Sequence, residues 1–138
     1  MDVMTTAEKG SVEREVKERF ERFVASVNAM DAEAWSAFYS DEGFLSAIAG
    51  TRFCGSKKAW VELIGGYFSA RQHQQIDPVA MRVAALAPDL ALMTSEEKAA
   101  MCVKGGCESV VRHAFTMLWK KEREGWRILH SHESWLEG

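Results

Sequence analysis

Apolar residues recur along the first half of the chain at the spacing expected for helices. Between Ser11 and Met30 they lie three or four positions apart on one stripe, and acid-before-base pairs at a spacing of four mark the opposite, solvated face. Asp31 is a predicted N-cap of a short second helix through Tyr39, and Ser56 is a predicted N-cap of a third. We therefore expect three N-terminal helices.

Beyond Arg71 the pattern changes to that of strands. The predicted strands are Ile76–Leu86, Leu90–Val103, Glu108–Lys120 and Trp126–Trp135, and a short strand, Phe44–Ile48, precedes the third helix. Helices followed by a run of strands predict an α+β domain with an antiparallel sheet. Residues 1–10 are polar and are predicted to be a frayed or disordered segment ahead of one domain at residues 11–138.

The alternation of side chains divides the last predicted strand into two faces. One face carries His130 and His132 with apolar neighbours, whereas the other carries both charges, Arg127 and Glu133. We predict that the histidine face is covered by the helices. A hairpin loop with an even number of residues places His113, Met117 and Trp119 on that same face, and an odd loop places Arg112 and Thr116 there instead. The even loop is favoured because it brings the two apolar sets together.

Composition disfavours several classes of protein. The formal charge is −3, from 17 basic and 20 acidic residues, and this balance lacks the basic surface that nucleic acid or an anionic membrane requires. No apolar run reaches the roughly 18 residues of a membrane span, and residues 1–10 do not resemble a signal peptide. Three cysteines do not make a disulfide framework, so reduced thiols and a cytoplasmic location are expected.

The histidines are the candidates for chemistry. His130 and His132 lie two positions apart, with His113 beside them, and imidazoles in this arrangement suit acid–base catalysis, ligand contact or hydrogen bonding inside a polar pocket. A metal site is not predicted, because a His-x-His pair is a weak signal and no inward carboxylate is assured. Glu97 lies either at the pocket rim as a base or at a solvated strand end. The aromatic residues that form either a pocket wall or the core are Trp35, Tyr39, Phe53, Trp60 and Trp119.

The C-terminal hairpin carries a resemblance to a known family. Trp126 follows Trp119 by seven positions, and the segment Gly125–Ser134 then reads GWRILHSHES. Together with the order of elements, this resembles the SnoaL-like branch of the nuclear transport factor 2-like superfamily, and especially the association domain of calcium/calmodulin-dependent protein kinase II. The resemblance implies a cystatin-like cone in which a curved sheet wraps around helices, with a cavity open at one end and dimers packed through the outer sheet face.

Three hypotheses about function follow. The first is a small-molecule-binding domain, a homodimer through the outer sheet face that includes Leu129 and Trp135. The second is an isomerase, cyclase or dehydratase in which an inward histidine, His130 or His132, transfers a proton without a cofactor. The third is an oligomerisation module with an incidental pocket. The predicted ligand-binding residues are Trp35, Tyr39, Phe53, Trp60, His113, Met117, Trp119, His130 and His132.

Overall fold

The α+β architecture is confirmed by a computed structural model, which describes residues 3–137. Three helices and six strands are found in these residues. In chain order the elements are α1 (Thr6–Asn28), α2 (Ala32–Ser36), β1 (Ser46–Ala49), β2 (Arg52–Cys54), α3 (Lys57–Ala70), β3 (Arg71–Ala87), β4 (Leu90–Val103), β5 (Glu108–Glu122) and β6 (Gly125–Glu137).

The helices begin at the capping residues that their sequences supply. At α1 the Thr5 hydroxyl accepts a hydrogen bond from the Glu8 amide at 3.0 Å, and the Glu8 carboxylate accepts one from the Thr5 amide at 3.1 Å. This capping box satisfies two backbone donors, so α1 begins at Thr6. The prediction of a frayed segment is therefore wrong for residues 6–10, while residues 1 and 2 lie outside the described residues. Asp31 and Ser56 cap α2 and α3 as predicted, and α2 ends at Ser36 rather than Tyr39.

The six strands form one curved sheet in the order β2-β1-β6-β5-β4-β3. Its neighbouring strands are antiparallel except for β1 and β6, which pair in parallel. The prediction of a wholly antiparallel sheet is wrong at this pair. The chain leaving α2 already follows β6 in the same direction, because Tyr39 bridges Ile128 in parallel before β1 begins. The strand β2 escaped prediction because it has only three residues, two of them exposed.

The long strands alternate between a buried and an exposed face. In β4 the buried positions include Met93, Ser95 and Glu97, whereas the intervening residues are exposed. In β5 the alternate positions from Val111 to Trp119 are buried beneath the helices. Both patterns follow from the two-residue period of a strand. The core therefore lies between the inner sheet face and the apolar stripe of α1, and the site described below lies at its edge.

A β-bulge in β6 reverses the predicted faces of the last strand. Trp119 pairs with Ile128, but Leu118 pairs with His130, so Leu129 is an extra residue on β6. Before the bulge Ile128 faces the helices as predicted. After it the parity changes, because a shift of one residue moves every following side chain to the other face.

The outer sheet face lacks one of its predicted apolar residues. Trp135 was expected there, but it lies opposite His113 on the inner face. Exposed apolar side chains on the outer face include Leu92, Val110 and Leu136. The homodimer through this face stays a prediction. Among residues 3–137, no helix combines the length and the apolar character needed to cross a membrane.

Candidate functional site

A cavity lies between the three helices and the inner face of the sheet. About 30 Å³ of its interior is available to the centres of water molecules, which is room for roughly two of them. Together with its mouth, it encloses about 520 Å³ of empty space. Its wall is largely aromatic and aliphatic, and its polar residues lie mainly on β3, β5 and β6. The lining residues are Phe23, Val27, Trp35, Tyr39, Ile64, Tyr67, Phe68, Arg71, Gln74, Ile76, Met101, His113, Phe115, Glu133 and Trp135.

A chain of three ionisable side chains, Glu97–His113–Glu133, lies beside this cavity. The His113 Nδ1 atom is 3.0 Å from Glu97 Oε1, and its Nε2 atom is 2.9 Å from Glu133 Oε2. Glu97 is the direct cross-strand partner of His113 in the pairing of β4 with β5. Glu133 reaches the imidazole from β6, where the bulge has turned it inward. Both nitrogens of His113 are thus occupied by carboxylate oxygens.

The Glu97–His113–Glu133 chain is largely buried, so interactions among its charges shift the pKa of His113. His113 is 3% exposed and Glu97 is 1% exposed. Burial by itself lowers the pKa of His113, but the hydrogen bonds to Glu133 and Glu97 outweigh it and raise the pKa to about 9. The raised pKa favours the imidazolium form at neutral pH, in which both ring N–H groups donate. His113 cannot accept a proton in that state.

The surroundings of His113 hold its ring in one orientation. The Phe115 ring approaches it edge-on with centroids 4.5 Å apart, and the Trp135 ring lies parallel to it at 6.3 Å. Glu97 Oε2 is buried and has no hydrogen-bond partner among the described residues. Glu97 is therefore committed to His113 through one oxygen, and it does not line the cavity.

Tyr39 and Ser131 form a second polar pair at the cavity. Their hydroxyl oxygens are 2.8 Å apart, and both residues are almost completely buried. Burial raises the pKa of Tyr39 far above its ordinary value, a shift that exceeds the opposing effect of the hydrogen bond with Ser131. The Tyr39 hydroxyl consequently stays protonated and can only serve as a hydrogen-bonding group.

Arg71 supplies the positive charge at the cavity mouth. Its Nη1 group donates to Gln74 Oε1 at 2.7 Å, and its guanidinium lies 5.3 Å from the centre of the Tyr67 ring. Burial lowers the pKa of Arg71, which nevertheless remains protonated. Within residues 3–137, no carboxylate lies within ion-pair distance of this guanidinium. Gln74 is the one hydrogen-bond acceptor of this guanidinium among the described residues, so its other N–H groups are left for solvent or a ligand.

The structure brings three of the predicted ligand-binding residues to the cavity, namely Trp35, Tyr39 and His113. Trp60, Met117 and Trp119 are instead fully buried in the core, and none of them lines the cavity. Phe53 is 68% exposed on β2 and cannot form part of an enclosed wall.

The placement of His130 and His132 on the helix side is wrong. His132 is exposed on the outer face, and His130 is half-buried with its Nδ1 atom 2.9 Å from the Ser46 carbonyl oxygen. Since a carbonyl only accepts, His130 Nδ1 carries a hydrogen and donates it. The bulge at Leu129 is the physical reason, because it exchanges these histidines for Ser131 and Glu133.

Glu133, Arg71 and Gln74 line the cavity but are not among the site residues predicted from the sequence. Regular alternation predicts Glu133 on the outer face, and the bulge turns it inward. Arg71 and Gln74 lie at the start of β3, directly after α3. The helical and strand patterns meet there, and neither predicts where these two side chains point. Glu97 carried a usable signal, since it shares the parity of Ala91, Met93 and Ser95.

The described residues do not offer a metal site. No three His, Cys, Asp or Glu side chains within residues 3–137 are grouped so that they could hold a metal ion. His113 in particular has both nitrogens engaged by carboxylates.

Comparison with known proteins identifies relatives of the fold. The model of the SnoaL-like domain family matches residues 16–137, whereas none of the curated proteins matches the chain. A protein from Streptomyces avermitilis, assigned as a dehydratase of the NTF2-like family, is 16% identical with a TM-score of 0.79, over 89% of this chain and 95% of that one.

Two further solved structures share the fold. A protein from Novosphingobium aromaticivorans, assigned as a scytalone dehydratase, is 8% identical with a TM-score of 0.80, over 89% of this chain and 83% of that one. A protein from Xanthomonas campestris, assigned as a calcium/calmodulin-dependent protein kinase II association domain, is 18% identical with a TM-score of 0.77, over 89% and 86%. At these identities the similarity extends to the fold alone.

Proposed function

The chain belongs to the SnoaL-like domain family, and from that premise we propose that it binds a small, largely apolar molecule in the cavity beside His113. The observation that carries this proposal is the composition of the cavity wall. Aromatic and aliphatic side chains enclose most of it, and a few polar groups converge on it from β3, β5 and β6. This combination is typical of small-molecule sites.

The size of the cavity limits the ligand. Interior room for roughly two water molecules does not accept a bulky polycyclic compound without movement of the wall. The lining residues that keep some exposure are Tyr67, Arg71, Met101, Glu133 and Trp135, and they mark the mouth. The enclosed part therefore suits an apolar group of a few atoms, while a ligand's polar end lies near Arg71 and Glu133.

Filling the cavity should remove the ligand. Ile64 lines the cavity from α3, and Ile64→Phe places added volume there. Native mass spectrometry of protein purified from its own host is expected to show a bound molecule on the wild type and none on this variant. Leu63→Phe is the matched control, because Leu63 adjoins Ile64 on the same helix and does not line the cavity. Retention of the molecule by Ile64→Phe, or an empty wild type, would contradict the proposal.

A second function, proton transfer without a cofactor, is favoured by the Glu97–His113–Glu133 chain. The inward histidine of this hypothesis is now His113, and the group that faces the cavity is Glu133. An imidazolium that is bonded on both sides cannot act as the base, but the Glu133 carboxylate can accept a proton from a bound molecule. His113 then stabilises the neighbouring carboxylate, and Glu97 holds His113 in place.

Solvent isotope exchange tests this second function. Wild-type protein incubated in deuterated water is expected to introduce deuterium at a carbon of the molecule that it binds, as measured by mass spectrometry. Glu133→Gln should slow this exchange by about 10²-fold or more while the molecule stays bound. Glu96→Gln serves as the control, since Glu96 is exposed on the opposite face of β4. Unchanged exchange in Glu133→Gln would remove Glu133 from the reaction.

A further inference from the structure

The number of protons in the Glu97–His113–Glu133 chain is fixed by its geometry. Two contacts, at 3.0 and 2.9 Å, each join a ring nitrogen to a carboxylate oxygen. Each contact needs one hydrogen, because two lone pairs at this distance would repel. The chain therefore holds two protons between its three members. An imidazolium with two carboxylates satisfies this, and so does a neutral imidazole with one protonated carboxyl group.

Both proton arrangements give the chain the same net charge of −1. An imidazolium contributes +1 against two carboxylates, and a neutral imidazole leaves one carboxylate uncompensated. The other charged side chain that lines the cavity is Arg71, which contributes +1. The site is thus electrically balanced before any ligand enters, even though Arg71 has no direct carboxylate partner among the described residues.

This balance determines which ligand the site accepts. A charged group that replaces water beside this balanced set of side chains adds an uncompensated charge, and its desolvation is costly. A neutral acceptor oxygen has a smaller desolvation cost, which a hydrogen bond offsets. One Arg71 N–H group already donates to Gln74, and the remaining N–H groups can donate to such an oxygen. The Glu133 carboxylate would in addition repel an anion from the same cavity.

Resting on the proposed small-molecule function, we infer that the cavity takes a neutral molecule whose carbonyl or hydroxyl oxygen is held by Arg71, and that it discriminates against organic anions. The apolar part of the molecule lies against the aromatic wall formed by residues such as Trp35 and Phe115. A carbonyl that accepts from Arg71 has more acidic hydrogens on its neighbouring carbon, and Glu133 lies in the same cavity as a base for them.

Isobutyramide and isobutyrate are suitable probes because they have a small apolar group and nearly the same shape but differ in charge. Titration of the wild type, followed by NMR shifts of the Trp35 and Trp135 indoles, is expected to show tighter binding of isobutyramide by about tenfold or more. Arg71→Met should weaken isobutyramide binding by at least about tenfold. The matched control is Arg82→Met, since Arg82 lies exposed on the same strand and outside the cavity wall.

Glu133→Gln provides the decisive reversal. The introduced glutamine keeps an oxygen that can accept from His113, but the substitution removes one negative charge, so the cavity becomes net positive. Isobutyrate should then bind at least as tightly as isobutyramide. The inference is overturned if the wild type prefers isobutyrate, if it binds neither probe, or if Glu133→Gln leaves the preference unchanged. The proposed function is tested separately, by the loss of the bound molecule in Ile64→Phe. Failure of the charge preference and failure of small-molecule binding are therefore distinguishable.

Discussion

His113→Ala is expected to lower the free energy of unfolding by about 3–5 kcal/mol at pH 7. The substitution leaves Glu97, at 1% exposure, with no partner for either oxygen. It also removes the ring that packs between Phe115 and Trp135. Breaking a buried ion pair by removing one member is costly because the remaining charge stays desolvated. Urea unfolding, followed by circular dichroism, measures the loss.

The matched control for this prediction is His132→Ala. His132 lies on the adjacent strand, but it is exposed on the outer face of the sheet. Its removal should change the free energy of unfolding by no more than about 0.5 kcal/mol. Equal losses in the two variants would contradict the special role of the buried histidine. A negligible loss in both would mean that Glu97 does not depend on His113.

Glu97 and His113 show what the sequence could predict. The inner faces of β4 and β5 follow from simple alternation, which is why Glu97 and His113 could be placed on one side of the sheet. Their cross-strand contact then depends only on the register of a hairpin. These features are local, and a period of two residues is enough to determine them.

The bulge at Leu129 could not be predicted from that period. Bulges are often marked by glycine, yet the sequence Ile128-Leu129-His130 contains none. The bulge coincides with a change of partner along the other edge of β6. Ile128 bonds to the Phe38–Ser40 segment, Leu129 bonds to Leu45, and His130 begins the parallel pairing with β1. This is a tertiary arrangement of segments more than 80 residues apart in sequence, as the contact between residues 46 and 130 illustrates.

Arg71 illustrates a second limit of the sequence pattern. It follows α3 directly and begins β3 without an intervening loop, so neither the helical nor the strand period determines where its side chain lies. Arg71 has no direct carboxylate partner among the described residues. Its positive charge is balanced by the net charge of the Glu97–His113–Glu133 chain, so its role can be inferred only from the whole site. The candidate site thus combines residues that alternation predicts with residues that only the assembled fold brings together.

Stability is expected to fall as the pH rises from about 6.5 to about 9, because the folded state binds a proton that the unfolded state releases. The pKa of His113 is raised to about 9 in the folded protein, whereas an unperturbed histidine has a value near 6.5. A raised folded-state pKa stabilises the protein fully below the unfolded value, and this contribution is lost as the pH passes through the folded value. The expected loss is of the order of 3 kcal/mol.

A variant is needed to isolate this effect, since cysteine, lysine and tyrosine side chains also titrate at alkaline pH. Urea unfolding of the wild type and of His113→Gln at pH 6.5, 8 and 9.5 provides the comparison, because the other groups are shared. The stability difference between the two proteins should shrink as the pH rises, since glutamine has no proton to lose. Parallel pH profiles would show that folding does not add a proton at His113, which would contradict an imidazolium held between Glu97 and Glu133.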